Sequence, residues 1–137
     1  VDVAVNIMSL FSKSVKTAVK IKFGNGYTQE YKTTGDGLIE GEKIAVLINQ
    51  GSASASEIFA GFVQDHKLGK VIGETSFGKG SVQQINNYYD NSLLKFTSAK
   101  WHTPNGKNIT ESGITPDLVI SNNSDNDDQL EAALNEF

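Results

Sequence analysis

The feature that most constrains the fold is an apolar run followed by a serine-rich turn and a helical pattern. Residues 44–48 (IAVLI) are continuously apolar, which predicts a strand buried on both faces of a sheet. The turn GSASASE follows at 51–57, and apolar residues then recur with helical spacing over 58–63. A second short apolar run at 71–73 completes the unit. Residues 43–73 therefore predict a βαβ crossover within an α/β fold.

The sequence on either side of this crossover predicts a helix and several hairpins. Helical spacing of apolar residues marks the start of the chain, and period-two alternation marks the segments that follow. Glycine, asparagine and aspartate occupy the predicted turns between paired strands. These patterns predict a helix over 1–11 and strands over 16–23, 27–33, 81–89, 93–101 and 118–120.

The end of the chain predicts a tail that is distinct from the core. Its first part, from residue 121, is polar and predicts a linker. A short helix is predicted from residue 129, with Asp127 or Asp128 as its N-cap. We therefore divide the chain into a core at 1–120 and a tail, linker plus helix, at 121–137.

Composition limits the possible chemistry. Among 137 residues, 12 are basic and 16 acidic, and the net charge of −4 argues against a nucleic-acid or anionic-membrane partner. The absence of cysteine excludes thiolate metal sites and cysteine nucleophiles. The two histidines, His66 and His102, are isolated, and we interpret them as surface or core residues. Catalysis by this chain would use Ser, Thr, Lys, Asp, Glu or Tyr.

The serine-rich turn has two interpretations. Functional sites in α/β sheets form beyond the carboxyl ends of strands, where helix N-termini offer free N–H groups, so a serine nucleophile here would have an oxyanion donor. Alternatively, Ser54 and Glu57 fit the capping box S-x-x-E, and the turn only starts a helix. Glu57 would then be a cap and a partner of the helix dipole. The spacing alone favours the cap, because capping boxes are common.

The glycine-rich segment GETSFGKG at 73–80 also has two interpretations. It nearly matches the phosphate loop G-x-x-x-x-G-K-[ST], but Gly80 replaces the hydroxyl residue, and a strand pattern replaces the required helix. Nucleotide binding is therefore disfavoured. The alternative is that glycines hold Lys79 near a nucleophile. Lys79, Ser81 and Gln83 share one face of the predicted strand, so Gln83 is placed to orient the lysine amine.

Three motifs resemble one known family. GSASASEIFAGFVQDH, VIGETSFGKGSVQ and WHTPNGKNITESGITPD occur in this order. The combination resembles the carboxyl-terminal processing peptidases, or tail-specific proteases, of peptidase family S41, and it covers essentially the whole chain. The resemblance implies a ClpP/crotonase-like ββα core with the βαβ crossover and flanking hairpins. It also implies a serine endopeptidase that cleaves near the C-terminal tails of proteins through an acyl-enzyme.

The resemblance also assigns site residues by motif. The middle serine of SASAS, Ser54, is the implied nucleophile, Lys79 in FGKG is the general base, and Gln83 is its helper. The Ala55 N–H is an implied oxyanion donor. Asp65, in QDH, matches an acidic residue that is sometimes counted with the site. Asp65 lies three helical turns from Ser54, about 16 Å away, so we interpret it as structural.

The resemblance implies no cofactor, metal, nucleotide or nucleic acid, and a protein or peptide substrate with an exposed C-terminal tail. It implies a location in the periplasm or cell envelope, with envelope association through regions outside this chain. Members of the family carry a PDZ domain and an Asn-Pro-Gly-Gly-like turn ahead of the first helix. This chain has neither, so one oxyanion donor is missing and weak activity of the chain alone is expected.

One further expectation accompanies this assignment. Lys79 must act as a neutral amine, and burial is expected to favour that form.

The alternatives from other classes are a non-catalytic binding module on the same fold and an acyl-CoA enzyme of the crotonase type. Retention of the serine, the lysine and the glutamine argues against the binding module, and an acyl-CoA enzyme would need the missing oxyanion glycines but no serine-lysine pair.

Overall fold

The computed structural model of the protein describes residues 1–121 and 126–137. Within these residues the chain forms helices and two β-sheets, in an order close to the predicted one. The elements are α1 (Asp2–Ser9), β1 (Thr17–Phe23), β2 (Thr28–Lys32), β3 (Ala45–Ile48), α2 (Ala55–Asp65), β4 (Lys70–Gly73), β5 (Ser81–Asn87), β6 (Leu93–His102), β7 (Leu118–Val119) and α3 (Asp128–Leu134).

The smaller sheet contains the predicted βαβ crossover. Its strand order is β3-β4-β7, and both neighbouring pairs are parallel. A parallel pair needs a long connection between its strands, and α2 is that connection for β3 and β4. The N-terminus of α2 therefore lies at the carboxyl end of β3, where the serine-rich turn was predicted.

The larger sheet is antiparallel, with strand order β2-β1-β6-β5. It confirms the predicted hairpins, because β1 pairs with β2 and β5 pairs with β6. The β1–β6 pair joins the two hairpins into one sheet. This sheet holds β5, the strand that directly follows the glycine-rich segment at 73–80.

The core lies between α2 and the two sheets, and α1 also packs on α2. Met8, Val19, Phe62 and Val71 come from four different elements and are fully buried. Burial of each such side chain contributes about 1.5–3 kcal/mol. The packing therefore fixes α2, and with it the position of the serine turn.

One prediction about β3 is wrong. The apolar run was expected to be buried on both faces, but Leu47 is 40% exposed. Ile48, on the other face of the same strand, is 3% exposed, whereas Leu47 lines an open groove with residues of α1 and α2. The period of an apolar run does not say whether a further element covers it.

The tail helix α3 confirms the predicted cap. The Asp127 carboxylate accepts a hydrogen bond from the Leu130 N–H at 3.0 Å, which is the N-cap geometry. The helix begins at Asp128, one residue before the predicted start, and ends at Leu134. Residues 122–125 of the predicted linker lie outside the described residues.

Candidate active site

Ser54 lies at the point where the chain enters α2, and its backbone is strained. It is the N-cap residue, with φ 58° and ψ −113°, and a positive φ favours glycine. Such conformations cost about 1–3 kcal/mol and concentrate at functional sites. The side chain is exposed. Ala55 is the first residue of α2, so its N–H is one of those without a partner inside the helix.

Glu57, in the first turn of α2, is completely buried and accepts four hydrogen bonds. Its Oε1 accepts from the Ser76 hydroxyl and from the Gly78 N–H, both at 2.6 Å. Its Oε2 accepts from the backbone N–H of Ser54 at 2.8 Å and of Lys79 at 3.0 Å. Burying a carboxylate is costly unless donors surround it, and here four donors do so.

This carboxylate joins the serine-rich turn at 51–57, or serine turn, to the glycine-rich segment at 73–80 that contains Lys79, or lysine segment. Because the N–H groups of Ser54 and Lys79 meet on one oxygen, their nitrogens lie within two hydrogen-bond lengths of each other. A second link runs beside it, from the Phe77 N–H to the Ser52 carbonyl oxygen at 2.9 Å. The structure thus brings together two segments that the sequence separates by α2 and β4.

The role of Glu57 is larger than the sequence indicated. The Ser54–Glu57 bond is the expected half of the capping box, so the cap prediction is confirmed. The bonds to Gly78 and Lys79 were not predicted. A signal was available in the helical spacing, because Glu57 lies one turn before Gly61 on a face that points into the protein.

The backbone of Lys79 is held on both sides. Its N–H donates to Glu57, and its carbonyl oxygen accepts from the indole Nε1 of Trp101 at 2.8 Å. Trp101, in β6, is 3% exposed. Gly78 has φ 88°, and a Cβ there would lie 3.0 Å from the Glu111 backbone. The glycine before the lysine is therefore required by both conformation and space.

The Lys79 side chain is exposed, which corrects the expectation that it is buried. The cause is visible in the backbone contacts, because the N–H and carbonyl of Lys79 face the protein while the side chain leaves it. Within the described residues, no element covers the lysine.

Gln83 lies on β5 and is also exposed. Its amide Nε2 donates to the Ser81 hydroxyl at 3.1 Å and to the Thr97 hydroxyl at 2.9 Å. Within the described residues, the hydrogen bonds of Gln83 thus go to its own hairpin and not to Lys79. The predicted contact between the glutamine and the lysine stays a prediction.

The remaining candidate residues have structural contacts. The Ser52 hydroxyl accepts from the Asn49 N–H at 3.1 Å. Asp65 is the last residue of the unbroken eleven-residue helix α2, and its carboxylate accepts from the Asn105 N–H at 2.8 Å. Asp65 therefore holds the turn after β6 at the end of α2 that is remote from Ser54, in agreement with the structural interpretation.

An apolar groove opens beside the serine turn. It encloses about 490 Å³ between the start of α1, β3 and the first turns of α2. Val3, Ile7 and Leu47 are 74%, 46% and 40% exposed along it, and Ala55 lies at its edge. The groove places apolar surface next to the candidate nucleophile.

Several other possibilities find no support in the described part of the chain. The segment after Lys79 is strand β5, whereas a phosphate loop opens a helix. No three His, Asp or Glu side chains of the described residues come together as a metal site would require. Among those residues, no helix has the length and apolar character needed to cross a membrane.

Comparison with known proteins places the chain among peptidases. The family model described as "Peptidase family S41" matches residues 1–120, and the chain belongs to this family. It is 45% identical over 122 residues to a "Probable CtpA-like serine protease" of Staphylococcus haemolyticus. It is 44% identical over 121 residues to one of the same description from Staphylococcus aureus strain COL.

These matches cover 88% and 87% of the chain and 24% of each relative. The chain therefore spans about a quarter of the length of the curated relatives that it matches.

The solved structures agree on the fold. The photosystem II D1 C-terminal processing protease matches with a TM-score of 0.81 and 32% identity, over 88% of this chain and 31% of that one. A putative peptidase from Parabacteroides merdae matches with a TM-score of 0.80 and 18% identity, over 97% and 46%. The second match shows the fold alone. Together they confirm the predicted ClpP/crotonase-like α/β fold.

Proposed function

We propose that this chain is the core of a serine endopeptidase that uses a Ser54–Lys79 dyad. The observation that supports this most directly is the buried Glu57 carboxylate, whose Oε2 accepts from the backbone of both residues. The exposed, strained Ser54 at a helix N-terminus adds to that support. Neither feature is needed by a helix that is only being capped.

The proposed reaction proceeds through an acyl-enzyme. Lys79, as a neutral amine, takes the proton of the Ser54 hydroxyl while Ser54 Oγ attacks the peptide carbonyl. The oxyanion is stabilised by the Ala55 N–H and by a second donor from outside these 137 residues. The leaving amine takes the proton from the Lys79 ammonium. Water activated by Lys79 then attacks the ester and restores the Ser54 hydroxyl.

The proposed substrate is a protein or peptide with an exposed C-terminal tail. One relative is described as a C-terminal processing protease, and we extend that specificity to this chain as a proposal. The apolar groove beside Ala55 supports an apolar residue next to the scissile bond. We also propose a location in the periplasm or cell envelope, which fractionation of cells that carry the gene would test.

The exposed Lys79 sets a condition on this proposal. A lysine base needs surroundings that disfavour the ammonium form, and desolvation is the usual means. We propose that regions beyond this chain cover Lys79. The assays below therefore use a chimera, in which the flanking regions of the Staphylococcus haemolyticus relative are joined to this chain. We call this chimera the full-length form and compare it with the 137-residue chain.

A serine-reactive acylating probe tests the proposed function. The full-length form should be labelled on the peptide that contains Ser54, and the label should disappear in Ser54→Ala but persist in Ser52→Ala and Ser56→Ala. Cleavage of a peptide with an apolar tail should follow the same pattern. Peptide binding without labelling or cleavage would favour the non-catalytic binding module instead.

A further inference from the structure

The β5–β6 hairpin contains an irregularity next to Gln83. Val82 pairs with Ala99, but Gln83 pairs with Thr97, so Ser98 is an extra residue in β6. This is the geometry of a β-bulge, a feature that re-aims side chains and occurs often beside active sites. In a regular ladder Gln83 would lie opposite Ser98, and Thr97 would be out of register with it.

The bulge changes the face on which Thr97 lies. Val82 and Gln83 are consecutive, so they point to opposite faces of the sheet. Ala99, the partner of Val82, is 4% exposed and belongs to the core. Thr97, as the partner of Gln83, is exposed on the opposite face, where Ser81 also lies. The bulge therefore places the Thr97 hydroxyl opposite Gln83, and the alternation along β5 places the Ser81 hydroxyl on the same face.

These two hydroxyls occupy both donors of the Gln83 amide. A glutamine side chain has two N–H donors on Nε2 and one carbonyl acceptor, Oε1. Nε2 donates to Thr97 Oγ1 at 2.9 Å and to Ser81 Oγ at 3.1 Å. With the nitrogen held against the hairpin, the carbonyl oxygen is the group that remains to face an incoming amine.

We infer that Thr97 is a positioning residue that fixes the orientation of the Gln83 amide, so that Gln83 offers Oε1 to the Lys79 amine. This inference rests on the proposed function of Lys79. A carbonyl that accepts one N–H of the neutral amine sets the rotation of the amino group. Its lone pair is then directed toward the Ser54 hydroxyl. A reversed amide would offer donors, which the ammonium cannot use.

The test uses the full-length form with Thr97→Val, which keeps the branched shape and removes the hydroxyl. We expect kcat to fall about tenfold with KM unchanged, and Thr97→Ser to restore it. The pH at half-maximal kcat/KM should move lower, because the ammonium form loses an acceptor. Thr28→Val, at an exposed threonine of β2, is the matched control and should behave as wild type.

A double-mutant cycle separates positioning from a structural effect. In a Gln83→Ala background there is no amide to orient, so Thr97→Val should have no further effect. An equal loss in both backgrounds, or wild-type kcat and pH profile in Thr97→Val, would overturn the inference. If Gln83→Ala is too slow to compare, the pH profile of Thr97→Val decides.

The two proposals can fail separately. If Ser54→Ala and Lys79→Arg keep their turnover, the proposed function is wrong, and the role of Thr97 falls with it. If both variants are inactive while Thr97→Val equals wild type, only the positioning inference is wrong. Thermal melts of every variant check that each one is folded.

Discussion

Two regions hold the candidate site, one buried and one exposed. They are the Glu57 cluster, which is Glu57 with its four donors Ser54, Ser76, Gly78 and Lys79, and the β5–β6 hairpin. The cluster is buried, and one carboxylate accepts four hydrogen bonds that fix the backbones of Ser54 and Lys79. The hairpin is exposed, with Ile85 56% and Leu93 64% accessible, and it holds Gln83 through two surface hydrogen bonds. Buried hydrogen bonds are costly to break, whereas exposed ones exchange readily with water. Changes in the cluster should therefore abolish function or stability, and changes in the hairpin should adjust rates.

The largest effect is expected at the two residues that the cluster brings together. Ser54→Ala should lower turnover by the full-length form on the order of 10³-fold or more, because the proposed nucleophile is removed. Lys79→Arg should be equally inactive, because a guanidinium stays protonated and cannot take the role proposed for the lysine amine. Initial rates of peptide cleavage measure both.

Two neighbouring serines are the controls for this experiment. Ser52→Ala and Ser56→Ala should keep most of the activity, because the Ser52 hydroxyl is used by the turn and Ser56 is an exposed helix residue. Loss of activity in Ser56→Ala together with survival of activity in Ser54→Ala would show that Ser54 is not the nucleophile.

The next effect is expected from Glu57→Gln, which keeps the shape of the side chain but replaces an acceptor with a donor. The new amide nitrogen would face backbone N–H groups, and buried donors would lose their partner at about 1–3 kcal/mol each. Urea unfolding of the 137-residue chain should show a loss of several kcal/mol, and turnover by the full-length form should fall as well.

Glu40→Gln is the matched control for Glu57→Gln. Glu40 is exposed and lies 3.8 Å from Lys13 in a surface ion pair, and such pairs contribute about 0–1 kcal/mol. Equal destabilisation by the two substitutions would show that the buried hydrogen bonds of Glu57 contribute no more to the free energy of unfolding than a surface ion pair does.

A smaller effect, of opposite sign, is expected from Ser54→Gly. Glycine tolerates the positive φ of this position, so the chain should gain about 1 kcal/mol of stability while losing activity. Ser54→Ala keeps the strain and should not gain it. Ser56→Gly, inside α2, should lose about 0.5–1 kcal/mol. Denaturation midpoints rank the three variants by stability. If Ser54→Gly is no more stable than Ser54→Ala, the backbone of Ser54 is not strained.

The smallest effect lies at the tip of the hairpin. The Ser92 hydroxyl and N–H donate to the exposed Asp90 carboxylate at 2.6 and 3.0 Å. These bonds hold the pKa of Asp90 below its usual value of 3.8. The associated stability is present above the unfolded value and is lost as pH falls through the folded one. An NMR titration should show the lowered pKa.

Ser92→Ala should return the pKa of Asp90 toward 3.8, because the hydroxyl bond is the first cause of the lowering. Ser98→Ala, at a serine in β6, should leave the titration where it is. A titration unchanged by Ser92→Ala would show that the hairpin turn is not held by this contact.

The fold was largely predictable because its main elements have strong local patterns. The crossover followed from the apolar run, the S-x-x-E turn and the helical spacing after it. The hairpins followed from alternation and from turns such as Gly24-Asn25-Gly26. The exposure of Leu47 was not predictable, since a continuous apolar run does not show which of its side chains a neighbouring element covers.

The candidate site was predictable only in part, for a related reason. Ser54, Lys79 and Gln83 come from motifs, but the contacts that position them join distant segments. The four bonds of Glu57 depend on how α2 meets the lysine segment. The contact of Thr97 with Gln83 depends on one extra residue, Ser98, which shifts the parity of β6 between Thr97 and Ala99.

The contact between Trp101 and the Lys79 carbonyl gives the protein a built-in optical reporter. Trp101 is the single tryptophan of the chain, and its indole N–H is bonded to the backbone of the lysine segment. Indole emission changes in wavelength and intensity when its hydrogen bonding and hydration change. A ligand that docks over residues 73–80 and breaks this hydrogen bond should therefore change the intrinsic fluorescence, and stopped-flow mixing can follow it in real time without a label.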